Sequence, residues 1–162
     1  MTIPPALRKL SLLILAVALC GPAVAAPPQG EAPGPSREVQ ALMDQALQHS
    51  GLKYRKVQDR YWFATCESKL VPDCQILMTA TPEILVIGVV IKKKKDLSPT
   101  PEMLAGLLHL NHNLTRVKVG IDDDGDLFER VEVSVKGLDA DEILANLKLV
   151  EDAIEPTAQA AQ

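Results

Sequence analysis

The sequence predicts an α+β fold, in which an antiparallel sheet of about five or six strands carries three helices packed on it. Three observations support this prediction. Three segments place apolar residues at helical spacing, several segments alternate or are rich in β-branched residues, and the strand segments are grouped into hairpins by short polar turns. The order is helix, strands, helix, hairpin, helix, so we expect the helices to cover one face of the sheet.

Each predicted helix has a recognisable start. Ser36 can cap the first helix, which ends at Gly51, where a left-handed C-cap favours glycine. The second helix begins at Pro101 after its cap Thr100, because proline is favoured at the first helical position. The third follows Asp139, which forms a capping box with the glutamate three residues later.

The strands are predicted from period-two patterns and from β-branched runs. They span residues 53–57, 60–66, 74–81, 83–92, 116–122 and 127–136. Residues 84–91 are apolar at almost every position, as in a central strand that is covered on both faces. The acidic turn at 123–126 contains Gly125 and predicts a hairpin between the last two strands.

The first 25 residues have the pattern of a bacterial signal peptide. Arg8 and Lys9 precede an apolar run at 10–19, and the small residues at 23–25 form a signal-peptidase site. The run is shorter than the roughly 20 residues that a membrane-spanning helix needs. We therefore expect export, cleavage near Ala25, and a periplasmic or secreted protein.

An alternative reading makes Cys20 the acylated N-terminus of a lipoprotein. The residues around Cys20 approach a lipoprotein signal, but the bulky Leu19 stands where glycine, alanine or serine is expected. Cleavage near Ala25 is the favoured interpretation.

Composition divides the rest of the chain into three parts. Residues 26–36 are rich in proline and glycine and predict a disordered spacer. Residues 37–155 contain no internal repeat or linker and predict a single α+β domain. Residues 156–162, which begin with Pro156, predict a disordered tail.

Charge and composition exclude some functional classes. The 162-residue chain has a net charge of −4, and removal of residues 1–25 would make it more acidic, so a nucleic-acid partner is not expected. Aromatic residues make up only 3% of the chain, which argues against a ring-lined cofactor pocket. No phosphate-binding loop, nucleophile elbow or paired-carboxylate pattern is present in the sequence, so we expect neither an enzyme nor a cofactor.

Cys66 and Cys74 remain after signal cleavage and flank a loop between two predicted strands. An even pair in an oxidising compartment predicts a structural disulfide, worth about 2–3 kcal/mol through loop closure. A redox or metal-binding pair is the alternative. It is disfavoured because the spacing is not CxxC and no helix N-terminus lies nearby to lower a thiol pKa.

Two other clusters have the residue types of a metal site. Asp122, Asp123, Asp124 and Asp126 are acidic, but the glycine comes too early for an EF-hand loop, and a hairpin turn explains them. His109 and His112 are three apart on the second helix and have no third ligand nearby in sequence. We interpret both clusters as structural and expect no metal.

Lys92, Lys93, Lys94 and Lys95 form the one basic run of the sequence. Four lysines after an apolar strand can keep a sheet edge soluble and unpaired. They can also form an interaction patch for acidic lipid or an acidic partner, at about 1 kcal/mol per lysine near a charged membrane. The solvated interpretation is favoured, and the patch is retained as a candidate site.

The segment 107–155 resembles the YbjN-type branch of the type III secretion chaperone-like fold. The similarity lies in Leu110-Asn111 at the helix end, in the strand–acidic turn–strand of 119–127, and in the capped helix after Asp139. The element order upstream matches as well, including the aromatic strand at 61–63. The export signal, the cysteine pair and the lysine run depart from that pattern. The resemblance implies a non-enzymatic protein-binding or regulatory domain, often dimeric, with no catalytic residues.

The sequence thus predicts an exported binding protein, chaperone-like or regulatory, whose partner is a polypeptide and which is compatible with a homodimer. Binding would use a sheet edge or a helix–sheet groove. The alternative is a lipid-anchored envelope protein whose lysine run contacts acidic lipid or a partner. A small hydrolase or metal-dependent enzyme is the least favoured hypothesis, because no site can be named.

Overall fold

The computed structural model describes residues 33–162, so the predicted signal peptide and most of the predicted spacer lie outside the described residues. Among residues 33–162, no helix is both long and apolar enough to cross a membrane.

Residues 33–162 form three α-helices, six strands and one 3₁₀ turn at Lys94–Asp96. The helices are α1 (Arg37–Ser50), α2 (Pro101–Asn113) and α3 (Ala140–Ala160), and the strands are β1 (Tyr54–Val57), β2 (Tyr61–Thr65), β3 (Gln75–Ala80), β4 (Ile84–Lys92), β5 (Lys118–Ile121) and β6 (Leu127–Ser134). This order confirms the predicted α+β class, and the strand ends agree with the prediction to within two residues.

The predicted caps start the helices as expected. The side chains of Ser36, Thr100 and Asp139 each accept a hydrogen bond from the backbone amide three residues later. Gly51 follows α1 in the left-handed conformation, with φ of 73°. Because each side-chain oxygen satisfies an amide that lacks a partner within its helix, these residues fix the helix starts.

The six strands form one antiparallel sheet in the order β1-β2-β3-β4-β6-β5. Consecutive strands pair along most of the sheet. The exception is β4, which pairs with β6, so that β5 is left at an edge. β4 is one of the two central strands and is also the longest of the six. α2 connects it to the β5–β6 hairpin.

The helices lie on one face of this sheet. α3 packs on β4 and β6 and also contacts α1 and α2, so it occupies the middle of the helical layer. The core between the layers consists of buried side chains, among them Trp62, Ile76, Met78, Ile87 and Leu147. The indole Nε1 of Trp62 donates a hydrogen bond to Asp44 of α1 at 2.9 Å, which ties α1 to β2.

The expectation that β4 is covered on both faces was wrong. Leu85, Ile87, Val89 and Ile91 are buried beneath the helical layer, whereas Ile84 and Val90 point to the other face and are 43% and 38% exposed. All three helices of residues 33–162 pack on the same face of the sheet. An apolar pattern on both faces of a strand therefore does not require a second covering layer.

The predicted disordered tail was also wrong, because α3 continues through Pro156 to Ala160. Proline removes one helical hydrogen bond, but the small residues after it have somewhere to pack: Thr157, Ala158 and Ala161 are buried. Lys92 Nζ also donates a hydrogen bond to the carbonyl of Ala161 at 3.1 Å. The domain thus extends beyond the predicted end at residue 155.

The end of the predicted spacer is likewise ordered where the structure describes it. Pro35 is buried, and its carbonyl accepts a hydrogen bond from the side-chain amide of Gln40 at 3.3 Å. Residues 26–32 lie outside the described residues.

Candidate functional site

The face of the sheet opposite the helices is the strongest candidate for a binding site. We call it the open face. Its residues come from alternate positions of the strands, and they are Arg55, Val57, Tyr61, Phe63, Thr65, Gln75, Leu77, Thr79, Ile84, Val86, Gly88, Val90, Lys118, Gly120, Phe128, Arg130, Glu132 and Ser134. Aliphatic and aromatic residues share this face with polar and charged ones, and none of them is buried below the helical layer.

One row of side chains crosses the open face from edge to edge. The strand register aligns residues of all six strands in this row, namely Arg55, Phe63, Leu77, Gly88, Arg130 and Lys118. Apolar residues occupy the inner positions of β2 and β3, and cations lie on β1, β6 and β5. The row is therefore apolar on one side of its centre and basic at both ends.

Gly88 lies at the middle of this row because Arg130 leaves no room for a side chain. A Cβ atom at position 88 would lie 2.8 Å from Arg130 Cβ and 2.8 Å from the carbonyl oxygen of Glu129. Such distances are far inside van der Waals contact. The glycine thus allows β4 and β6 to approach closely and leaves a depression in the open face beside Leu77.

Aromatic rings hold the cations of the open face in place. The guanidinium of Arg55 lies 4.5 Å from the centre of the Phe63 ring, and that of Arg130 lies 5.0 Å from the centre of the Phe128 ring. Arg130 also forms an ion pair with Glu132 at 2.8 Å. The pKa of Glu132 is lowered, mainly because Lys118 donates a hydrogen bond to its carboxylate.

The predicted disulfide loop borders the open face at the end of β2. The structure joins Cys66 and Cys74 by a disulfide bond. Within this loop, Ser68 Oγ and the amide of Lys69 both donate hydrogen bonds to Glu155 of α3, at 2.7 and 2.6 Å. These bonds lower the pKa of Glu155. The disulfide therefore closes the loop, and the hydrogen bonds to Glu155 attach it to the helical layer.

The predicted lysine patch is not a set of four equivalent cations. Lys93 forms an ion pair with Asp126 at 2.7 Å, and the amide of Lys94 donates to the same carboxylate at 2.8 Å. These two contacts lower the pKa of Asp126, and its hydrogen bond to Lys93 raises the pKa of Lys93. The ammonium of Lys92 is committed to the end of α3. Among the described residues, the side chains of Lys94 and Lys95 form no hydrogen bond or ion pair.

A groove of about 1130 Å³ joins the lysine run to the open face. Its lining includes Phe63, Leu77, Gly88 and Arg130 on the open face, and it extends past the disulfide loop to Lys95. Three of the predicted lysines, Lys92, Lys93 and Lys95, thus border the same depression as the open face, because the run follows directly on β4. The use of these lysines as an interaction patch stays a prediction.

In the part of the chain that the structure describes, no three His, Cys, Asp or Glu side chains are grouped as metal ligands would be. Residues 122–126 form the turn of the β5–β6 hairpin, with Gly125 at φ of 86°. His109 and His112 are exposed on α2.

A buried carboxylate lies beneath the end of α3, on the covered face. Glu129 of β6 has no exposed surface, and its Oε2 accepts a hydrogen bond from the hydroxyl of Thr157. Its Oε1 has no partner among the described residues. Burial raises the pKa of Glu129 to about 7, against the opposing effect of the Thr157 hydrogen bond. The sequence does not indicate this pair, since Thr157 lies in the segment that its composition predicts to be disordered.

The fold and the sequence together assign the chain to a family of small α+β proteins. The sequence profile of the YbjN family, described as "Putative bacterial sensory transduction regulator", matches residues 74–162, which is more than half of the chain. The chain therefore belongs to the YbjN family. No curated protein sequence is significantly similar to it.

Two solved structures share the fold. One chain of the heterodimeric complex ExoU-SpcU, from the type III secretion system of Pseudomonas aeruginosa, is 18% identical, with a TM-score of 0.55, over 74% of this chain and 98% of that one. YbjN from E. coli is 14% identical, with a TM-score of 0.53, over 75% of this chain and 87% of that one. These likenesses confirm the predicted YbjN-type, chaperone-like fold.

Proposed function

We propose that this chain is an exported, non-enzymatic protein that binds a polypeptide on its open face. One observation carries the proposal: among residues 33–162 no helix covers the open face of the six-stranded sheet, and that face carries aromatic and aliphatic side chains. Leu77, Ile84 and Val90 are 37%, 43% and 38% exposed. Exposed apolar patches that are rimmed by polar residues are typical of protein interaction sites.

The structural comparison supports a polypeptide as the partner. One of the two similar structures is a chain of a heterodimeric protein complex, so the same fold serves protein association elsewhere. The chemistry of the open face agrees with binding instead of catalysis. It combines apolar and aromatic side chains with arginines, which are the residue types enriched at protein interfaces.

Export is the second part of the proposal. It is supported by the signal-peptide pattern of residues 1–25 and by the pair Cys66 and Cys74, since disulfides persist in oxidising compartments. The intact mass of protein purified from its native host tests it. A mature chain that begins at Ala26 would support export, a diacylglyceryl group on Cys20 would favour the lipid-anchored alternative, and an unprocessed chain would refute both.

Site-specific cross-linking tests the binding site. A photoreactive amino acid is placed at Leu77 on the open face, and at Leu108 of α2 in a matched control, because Leu108 is 71% exposed on a different surface. We expect one stoichiometric polypeptide adduct from position 77 in the native host, to be identified by mass spectrometry.

Two outcomes would contradict the proposal. Adducts from position 108 and none from position 77 would move the site to α2. If the adducts contained only a second copy of this chain, the open face would be a dimer interface.

A further inference from the structure

We propose that the segment which binds the open face is extended, apolar in its middle and acidic at its ends. This inference rests on the proposed function and adds the chemistry of the partner.

The open face is basic, whereas the whole protein is acidic. The charged residues aligned on this face are Arg55, Lys118 and Arg130 against the single carboxylate of Glu132. The complete chain, by contrast, has a net charge of −4. A basic face on an acidic protein attracts an acidic segment and repels a second copy of the same acidic chain.

The spacing of Arg55 and Arg130 matches the length of a short extended segment. Arg55 and Arg130 belong to the same row, on β1 and β6, and are separated by four strand spacings, or about 19 Å. An extended chain spans that distance in about six residues. In this row Leu77 and the depression at Gly88 lie between the two arginines, and the Phe63 ring lies against the Arg55 guanidinium. A segment with acids at both ends and apolar side chains between them matches this arrangement.

The guanidiniums of Arg55 and Arg130 retain N–H donors that no carboxylate of residues 33–162 occupies. Arg55 stacks on Phe63, and no carboxylate pairs with it among residues 33–162. Arg130 uses one terminal nitrogen for Glu132, while its Nε is buried without a partner in the described part of the chain. Ring-stacked guanidiniums are already ordered, so a carboxylate can bind them in a fork geometry with little loss of entropy.

A polypeptide fits this surface better than an anionic membrane does. Carboxylates interrupt the basic surface, since Glu132 lies within the open face and Asp73 and Asp96 line the adjoining groove with Lys95. A membrane contact site is expected to be a continuous basic patch. A segment with acids at defined positions can meet Arg55 and Arg130 and avoid the carboxylates.

Three labelled synthetic peptides of eight residues test the proposal against the protein as its host produces it. Each has four alternating leucines and valines in the middle, and the two residues at each end are aspartates, serines or lysines. Binding is measured by fluorescence anisotropy at low and at physiological ionic strength. We expect the aspartate peptide to bind about 10-fold tighter than the serine peptide at low ionic strength, and this difference to shrink as salt is added.

Matched variants locate the effect. In the double variant Arg55→Gln/Arg130→Gln, we expect the aspartate peptide to bind no better than the serine peptide. Lys136→Gln/Lys148→Gln removes the same charge from exposed positions away from the open face and should preserve the preference. If Arg130→Gln does not fold, as judged by its melting curve, Arg130→Lys keeps the charge and should retain most of the preference.

The outcomes separate this inference from the proposed function. Equal affinities for the aspartate and serine peptides would overturn the acidic preference while leaving polypeptide binding intact. Binding of anionic phosphatidylglycerol vesicles that depends on Arg55 and Arg130, with no peptide bound, would overturn it in favour of a lipid. Failure of all three peptides, together with no adduct from Leu77 in the cross-linking experiment, would refute the proposed function itself.

Discussion

At the scale of single residues, the close contact at Gly88 reverses an ordinary expectation. Glycine within a strand is normally destabilising relative to alanine by roughly 0.5–1 kcal/mol, because it loses more backbone entropy on folding. At position 88 an added Cβ would meet backbone and side-chain atoms of β6 at 2.8 Å. We therefore expect Gly88→Ala to lower the free energy of unfolding by about 1–3 kcal/mol, as overpacking does elsewhere.

Gly106 of α2 provides a matched control. A Cβ at Gly106 would have nothing within 4 Å, so Gly106→Ala should raise the free energy of unfolding by about 0.5–1 kcal/mol. Urea unfolding of both variants gives the comparison. If Gly88→Ala proved as stable as Gly106→Ala, the close approach of β4 and β6 would be refuted.

At the scale of elements, the disulfide loop is fixed by two independent connections. Loss of the bond in Cys66→Ser/Cys74→Ser should cost about 2–3 kcal/mol of unfolding free energy, because loop closure no longer restricts the unfolded chain. The hydrogen bonds from Ser68 and Lys69 to Glu155 remain, so we expect the fold and peptide binding to persist. Equilibrium unfolding with and without reductant measures the effect. Unchanged stability of the native protein in reductant would contradict a stabilising bridge.

The last turns of α3 give a second prediction at this scale. A chain that stops after Pro156 loses the buried Thr157, Ala158 and Ala161, and Lys92 loses its acceptor. We expect the free energy of unfolding to fall by roughly 2–4 kcal/mol, from lost apolar burial and from polar groups left without partners. Removal of the exposed Gln162 alone should change it by less than about 0.5 kcal/mol. Equal melting temperatures of both truncations would instead agree with a disordered tail.

The same elements show why the sequence predicted the fold better than the site. Caps and turns are local, so Ser36, Thr100 and Asp139 located the helix starts within the sequence itself. Which faces are covered is not local. The apolar run 84–91 predicted a central strand but could not show that all three helices lie on one side. Pro156 predicted the end of the domain wrongly for the same reason, since the burial of the residues after it depends on strands that are distant in sequence.

At the scale of the whole molecule, the candidate site arises from long-range placement. The open face joins residues from six strands, and the groove brings Lys95 beside Phe63 and Arg130, which are distant from it in sequence. The lysine run was found from its composition, but its internal partner Asp126 was not. A partial signal for the open face was present, namely the apolar residues at alternate positions of β4 that the covered face does not use.

The pH dependence of stability is also a property of the whole molecule, and Glu129 contributes to it near neutrality. Its pKa is raised by burial to about 7 in the folded protein, from an ordinary value of 4.5. Below both values the carboxyl is protonated in the folded and unfolded states alike. As the pH rises between them, the unfolded chain releases the proton first, so stability falls and the loss is complete above about pH 7. At 1.36 kcal/mol per pKa unit, the loss is at most about 3 kcal/mol.

Three carboxylates act in the opposite direction and at lower pH, whereas Glu151, whose pKa burial also raises, acts in the same direction as Glu129. The pKa values of Asp126, Glu132 and Glu155 are lowered by their hydrogen bonds, so the stability they add is present above their unfolded values and is lost as the pH falls through their folded ones. Between pH 5 and 8 their contribution is nearly constant. Glu129→Gln keeps these groups and can accept the hydrogen bond from Thr157 while removing the titration. We therefore expect the free energy of unfolding in urea to fall between pH 5 and 8 by about 2–3 kcal/mol more for the native protein than for Glu129→Gln. Parallel curves for the two proteins would mean that the carboxyl reaches water, and that the end of α3 does not seal it as the structure shows.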